Sequence, residues 1–451
     1  MQRFLQRVHA FFSEFQLTPR FFALCGAVVT LFCLAFAFAA LHMVAVIALA
    51  ALVLALLIEC ALLWSREEPL VAGRSMQKLL SMGDNNRINL LIQSQMSRAV
   101  ILHITDELPM QLQKRDFDMR MRLGAGETAV LKYALHPTER GIYSFGVIRC
   151  LMLTRVGLVG RLYAAGQAAD VAVYPSIIQM KRIELMAFAR ISTFEGVKKV
   201  RRLGHGYEFE QIKQYSIGDD VRTINHKASG RRGTLMVNQY EAERAQQVYC
   251  IIDKGRSMRM PFNGLSLFDH AVNAALVISN IALRMHDKAG YLSFSNRIGA
   301  TIKAEQGRHQ LKSILESLYA EKEHAHESDF ELLYRGVRNV IKNRSLLFLF
   351  TNFESDYALE RVLPILRLIN HYHLLVVIVF ENTELTNYAH KQAHYLTDIY
   401  TQTIAEKLVA DKKDILRKLR KNRIQCIYTK PEELSVSTLN KYLELKAGGK
   451  I

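Results

Sequence analysis

The chain has 451 residues, half of them hydrophobic, with 8 prolines, 24 glycines and a mean hydropathy of +0.04, which excludes a disordered or collagenous polymer and supports more than one folded domain. Lys and Arg number 59 against 42 Asp and Glu, a formal net charge of +17. That charge favours anionic surfaces; because no nucleic-acid-binding motif accompanies it, an anionic membrane leaflet is the expected partner and nucleic acid is not.

The first element is apolar. From Phe21 to Trp64 only Glu59 is formally charged. As one helix this stretch would be about 66 Å long, roughly twice the thickness of a hydrocarbon core, so it predicts two transmembrane helices with a break near His42, an anchor occupying residues 1–64. Arg3, Arg7 and Arg20 precede the pair, and Arg66, Arg74 and Lys78 follow it. The positive-inside rule therefore places both ends in the cytoplasm. Glu59 stands about a turn from Trp64 and is expected to snorkel to the interface. The cysteines Cys25, Cys33, Cys60, Cys150, Cys250 and Cys426 form no CxxC pair and lie in apolar stretches, as buried thiols in a reducing compartment would.

Residues 65–185 read as a β-sandwich. Short strands recur at roughly ten-residue spacing between Ile88 and Tyr174, and Phe117, Met119, Met121 and Leu123 alternate with Asp118, Arg120 and Arg122 as a half-buried strand requires. Turns are expected at Gly124-Ala125-Gly126 and from His136-Pro137 to Gly141.

From residue 247 to 451 the pattern changes to continuous apolar runs separated by helical stretches: Val248–Ile252, Gly290–Phe294, Leu346–Phe350, Leu374–Phe380 and Cys426–Tyr428. Runs without polar alternation suit parallel strands covered on both faces, so the fold class here is α/β, doubly wound. A late helix over about Tyr400–Lys421 is expected to turn Ile404, Leu408, Ile415 and Leu419 inward.

Between sandwich and α/β domain, residues 186–246 form a connecting cassette: Gly204-His205-Gly206-Tyr207-Glu208-Phe209, then Tyr215-Ser216-Ile217-Gly218-Asp219-Asp220, then Arg222-Thr223-Ile224-Asn225-His226-Lys227, then Arg231-Arg232. Gly218 permits a tight turn that Asp219 can close, with Asp220 and Arg222 placed for local ion pairs. The cassette resembles the signature of the bacterial domain-of-unknown-function family fifty-eight, whose Gly-Asp-Asp turn and Arg-x-Ile-Asp-Trp-Lys stretch lead into a von Willebrand factor A domain. Asp106-Glu107-Leu108-Pro109, Arg140-Gly141-Ile142-Tyr143 and Val173-Tyr174-Pro175 also resemble family landmarks, so the likeness covers nearly the whole chain. The family's Asp-Trp is Asn225-His226 here.

The resemblance implies a von Willebrand factor A-like α/β domain and association with MoxR-type AAA+ ATPases. It also implies where a metal would sit. In such domains the first strand ends Asp-x-Ser-x-Ser, with a loop Thr and an Asp after a later strand completing a divalent-cation site. This chain has Asp253-Lys254-Gly255-Arg256-Ser257, a loop at about Ser328-Asp329, and Asn352 where the later acid often stands. Magnesium wants octahedral oxygen ligands and usually one or two carboxylates, so Asp253, Ser257 and Asn352 make a degenerate site. No cofactor is expected, and magnesium is the cation the site would take if it took one.

His324, His326 and Glu327 do not have the HExxH spacing and read as an exposed loop. No P-loop, GxSxG elbow or redox CxxC appears, so no enzyme activity is expected. The reading that follows is a membrane-anchored cytoplasmic adaptor, acting with a MoxR-type ATPase and other proteins of one complex. Its docking face would comprise Asp253, Ser257 and Asn352 at the strand ends, with Arg222, Lys227, Arg231 and Arg232 attracting an acidic partner. The alternatives are an unrecognised hydrolase and a basic, membrane-associated nucleic-acid-binding protein.

Overall fold

The computed structural model describes residues 11–38, 41–114, 117–194, 203–217, 219–241, 245–389 and 396–449. Arg3, Arg7, Arg201, Arg202 and Gly218 lie outside them. Two compact units divide after Tyr174.

The first unit opens with β1 (Phe15–Leu17) and two apolar helices, α1 (Pro19–Ala37) and α2 (Leu41–Leu63), both long and apolar enough to cross a membrane. Thr18 starts α1 as its N-cap, accepting the Phe21 N–H, and Pro19 follows at the first helical position, where its missing N–H costs nothing. Because α1 ends at Ala37 and α2 begins at Leu41, His42 lies in the first turn of α2 rather than at the break itself. The sequence between the helices contains neither Gly nor Pro, so nothing in it marked the boundary.

Ten strands follow: β2 (Leu70–Ser75), β3 (Leu79–Ser81), β4 (Asn86–Ser94), β5 (Val100–Asp106), β6 (Asp118–Leu123), β7 (Thr128–Leu135), β8 (Gly141–Phe145), β9 (Ile148–Leu153), β10 (Val159–Ala165) and β11 (Ala169–Tyr174). They form sheets in the orders β1-β10-β9-β5-β6, β2-β4-β7 and β3-β11-β8. One core joins the first two, with Leu90 and Ile92 of β4 packed among Leu102, Ile104, Cys150 and Met152. Strand β6 alternates as expected, its even positions exposed until Leu123 closes the strand. The landmark Asp106 at the end of β5 is buried in an ion pair with Arg74 of β2 and accepts the Tyr133 hydroxyl of β7, tying three strands, while Glu107 accepts the Val147 N–H at 3.1 Å and joins two loops.

The second unit begins with α3 (Ile177–Phe194), whose Met180, Ile183 and Ala187 pack into the α/β core, so the expected sandwich edge at residue 185 cuts a helix of this unit. The cassette folds as an antiparallel pair, β12 (Leu203–Gln214) with β13 (Met236–Glu241), spanned by the short α4 (His226–Arg232). Then come β14 (Gln247–Asp253), the small hairpin β15 (Pro261–Phe262) and β16 (Leu265–Ser266), α5 (Leu267–Arg284), β17 (Lys288–Phe294), β18 (Ile298–Glu305), α6 (Arg308–Ala320), α7 (Phe330–Val340), β19 (Leu346–Phe350), α8 (Asp356–Tyr372), β20 (Leu374–Phe380), α9 (Thr383–Ala389), α10 (Leu396–Lys421), β21 (Gln425–Thr429) and α11 (Leu434–Ala447).

The main sheet runs β18-β17-β14-β19-β20-β21, parallel except for the edge strand β18. Strand β14 shows why its sequence is unbroken apolar. Val248, Cys250 and Ile252 face a core built with α5 and α11, while Tyr249 and Ile251 face one built with α7, α8 and α10. The sheet is thus covered on both sides, and every expected apolar run is a strand of it. Of the stripe expected on α10, Ile415 and Leu419 are buried but Ile404 is exposed; Ala405 faces inward in that turn.

Candidate functional site

The chain leaves β14 toward β17 on one side and is joined by β19 on the other, so the carboxyl end of β14 is the topological switch point of the sheet. Open α/β sheets form their crevices there. A cavity of about 70 Å³ lies at this place, lined in part by Asp253, Ser257, Ser328, Thr351 and Asn352. The structure therefore brings together the three residues expected at the strand ends.

Asp253 is only 1% exposed. Its Oδ1 accepts the Gly255 N–H at 2.8 Å and the Ser328 hydroxyl, and its Oδ2 accepts the Thr351 hydroxyl at 2.7 Å. Burial, working against these three donors, raises its pKa above the ordinary carboxylate value. The glycine at 255 has a clear reason here: a Cβ at that position would collide with the Ser328 Oγ and stand 3.2 Å from the His326 carbonyl. The loss of a side chain at 255 makes room for Ser328 to close on Asp253.

Asn352 is also buried, and both ends of its amide are engaged: Nδ2 donates to the Ser257 carbonyl at 3.1 Å, and Oδ1 accepts the Lys412 ammonium at 2.7 Å. Lys412, from α10, also donates to the Phe353 carbonyl. Desolvation brings its pKa down to about 8, with Glu354 pulling the other way. Beside this cluster is an apolar recess of about 180 Å³, lined by Phe262, Leu267, Phe380, Leu385, Leu408 and Tyr428 among others.

Lys254, next to Asp253, points into a different network. Its ammonium pairs with Glu321 at 2.7 Å, both side chains buried, while the other Glu321 oxygen accepts the Ser293 hydroxyl and the Ala300 N–H. Backbone bonds from His324 N to Lys254 O and from Arg256 N to His326 O clamp the loop from Glu321 to Asp329 onto the end of β14. This loop carries the three residues considered as metal ligands from the sequence. His326 and Glu327 are exposed, and Glu327 pairs with Arg361 on the cavity rim. Desolvation, aided by Lys254, lowers the His324 pKa.

The donor chemistry does not fit magnesium. The buried carboxylate of the cavity, Asp253, accepts three protein donors, the Asn352 oxygen faces an ammonium, and of the two rim carboxylates Glu327 pairs with Arg361 and Glu354 with Arg256. An octahedral cation would have to displace those bonds to gain each charged ligand. Among the described residues no group of three or more His, Cys, Asp or Glu side chains is placed to hold a metal ion.

In the cassette, Asp219 closes its turn by accepting the Ser216 N–H at 2.9 Å and the Lys213 ammonium at 2.8 Å; the lysine, first of all, lowers its pKa. Asp220 accepts the Arg222 N–H and starts a short helical turn. Asn225 is the N-cap of α4, accepting the Ala228 N–H at 3.0 Å, a task the neutral amide performs as well as an aspartate. Arg222, Lys227, Arg231 and Arg232 are all exposed.

Sequence reasoning missed Thr351, Lys412 and the Lys254–Glu321 pair. Thr351 had a signal, since it follows β19 immediately and parallel-strand ends line the switch point. Lys412 and Glu321 had none, because each is brought in by an element far along the chain.

The model of the family described as "Protein of unknown function DUF58" matches residues 211–389, which supports the family resemblance carried by the cassette. No curated protein matches the chain. Solved structures with local similarity include proximal thread matrix protein 1 from the mussel byssus, at 9% identity over 45% of this chain and 46% of its own, with a TM-score of 0.25. The CARDB domain of a Pyrococcus furiosus protein aligns at 14% identity over 23% of this chain and 94% of its own, with a TM-score of 0.17. An Escherichia coli alpha-2-macroglobulin fragment aligns at 18% identity over 24% of this chain and 17% of its own, with a TM-score of 0.20. Likenesses this low carry no argument.

Proposed function

We propose that the protein is a non-enzymatic, membrane-anchored adaptor whose α/β unit is von Willebrand factor A-like and docks a protein partner on the crevice around Asp253, Ser257 and Asn352. The observation that carries this reading is the caged Asp253 carboxylate at the switch point of the sheet, whose hydrogen bonds all run to the protein itself. Counting from β14, the strand order 3-2-1-4-5-6 with an antiparallel third strand supports the domain type. The family resemblance supplies the partner class, a MoxR-type AAA+ ATPase. Arg20 and Arg66 flanking the two apolar helices support anchoring in a bacterial inner membrane with the soluble parts in the cytoplasm.

In this reading the negative charge of Asp253, buried beneath the crevice, attracts a cationic side chain that the partner seats there. Exposed Arg222, Lys227, Arg231 and Arg232 raise the rate of encounter with an acidic surface. The test is surface-plasmon binding of the ATPase to the full chain in detergent, comparing the parent with Asp253→Asn. Weaker binding by the folded variant supports the crevice as the docking face; parental affinity rejects it.

A further inference from the structure

Glu59 does not snorkel toward water. It is 4% exposed and sits in α2 four residues, about 6 Å of helix, before the end at Leu63. Its carboxylate accepts three consecutive backbone N–H groups of the β9–β10 turn, from Gly157 at 2.9 Å and from Leu158 and Val159 at 2.8 Å, together with the Thr154 hydroxyl. Gly157, at φ +72°, supplies the left-handed residue that lets successive N–H groups converge on one anion.

The carbonyls of the same turn are equally engaged. Arg20 donates to Val156 O at 2.9 Å, the Thr18 hydroxyl to Gly157 O at 2.6 Å, and the Thr18 N–H to Leu158 O at 3.1 Å. Arg161 then caps the end of α2 through the carbonyls of Leu63 and Arg66 and lies over the Trp64 ring. A turn in water has no need of such closure, because water satisfies its backbone. A turn in or near hydrocarbon needs it, since each unpaired group there costs several kcal/mol. At the tip, Val156 is 60% exposed, flanked by the exposed cations Arg155 and Arg20.

We propose that residues 154–159 form an interfacial insertion: the turn enters the lipid headgroup zone of an anionic leaflet, Val156 touches acyl chains, and Arg20 and Arg155 meet lipid phosphates. This rests on the reading of α1 and α2 as membrane-spanning. Both helices meet the turn at one end, and Glu59 fixes its depth a turn inside the apolar segment. The sandwich is then seated on the bilayer rather than hung from it.

The chain has a single tryptophan, so depth can be read directly. In a Trp64→Phe background, tryptophan is placed at Val156, at mid-helix Leu49, or at exposed Ala168, which lies beyond the far end of β10, about 20 Å of strand away. Each full chain is reconstituted in phosphatidylcholine and phosphatidylglycerol vesicles containing brominated lipid. Emission at 49 and 156 should fall to roughly half while emission at 168 is unchanged, with adding Glu59→Gln abolishing the quenching at 156. Quenching at 49 without quenching at 156 overturns the insertion and leaves the anchor standing. No quenching at 49 overturns the membrane reading, and the insertion with it. If Trp64→Phe does not fold, benzoylphenylalanine at 156 in the parent chain should photocrosslink to lipid and at 168 should not; equal yields at both overturn the proposal.

Discussion

Replacing Asp253 by Asn should leave the α/β unit as stable as the parent at neutral pH, or more so, whereas replacing it by Ala should cost about 2 kcal/mol. An amide in the same place keeps Oδ1 for the Gly255 N–H and the Ser328 hydroxyl, and the Thr351 hydroxyl can turn to accept from the new Nδ2. No donor is stranded, and a buried charge is removed. Ala leaves the Gly255 N–H without a partner, a loss of about 1–3 kcal/mol, while the two hydroxyls can turn toward the crevice. The two variants also differ from the parent in pH dependence. Burial raises the Asp253 pKa, so the folded state holds this proton more tightly than the unfolded chain does. The resulting stability is complete below the ordinary value of 3.8 and is lost as pH rises through the raised one. Urea titrations of the unit Pro175–Ile451 from about pH 4 to about pH 8 should show that decline in the parent and not in Asp253→Asn. If Asn proves as damaging as Ala, or the decline persists in the variant, the caged-carboxylate account is wrong.

Lys254→Met leaves Glu321 buried without its cation and should cost about 3–5 kcal/mol in the same urea assay, much of it recovered by adding Glu321→Leu. Millimolar magnesium should barely raise the melting temperature of the parent; a clear rise abolished by Asp253→Ala would show that the displaced bonds are weaker than their geometry indicates. Lys412 titrates at about 8 when folded and at 10.5 when unfolded, so stability should rise with pH between those values, a rise missing from Lys412→Met.

The parallel strands were legible because burial on both faces leaves an unmistakable apolar run, and β14, β19 and β20 begin and end within a residue of where the sequence places them. The edge strand β18 was not. Ile298, Ala300, Ile302 and Ala304 alternate with Gly299, Thr301, Lys303 and Glu305, a period-two signal, but small and polar residues dilute it where one side of the strand is open. The structure brings Asp253, Ser257 and Asn352 to one crevice, Asp253 as the last residue of β14, Ser257 in the short helical turn after it and Asn352 two residues past β19. Beyond the loop at about Ser328-Asp329, which the resemblance implies at the same place, the sequence does not reveal what each one touches. Their partners Ser328, Thr351 and Lys412 lie 75, 98 and 60 residues from the groups they bind, and such pairings are set by the stacking of helices on the sheet.

Gly255 and Asn352, which depart from the ligand pattern that the resemblance implies, each fit a hydrogen-bond network inside the protein. A serine at 255 would hold the loop bearing Ser328 away from β14, so the glycine is what permits Ser328 to reach Asp253. A carboxylate at 352 would form an ion pair with Lys412 and hold its charge firmly; the amide gives only a neutral acceptor, and the ammonium titrates at about 8 instead. Gly255 leaves room for a hydrogen bond inside the protein, and Asn352 makes two with its own side chain. Gly255→Ser alone should accordingly fail to create metal affinity, because the Asn352 oxygen would still face Lys412. Gain of magnesium binding should require Gly255→Ser, Asn352→Asp and Lys412→Met together, read as a melting-temperature rise that appears in the triple variant and in none of the single ones.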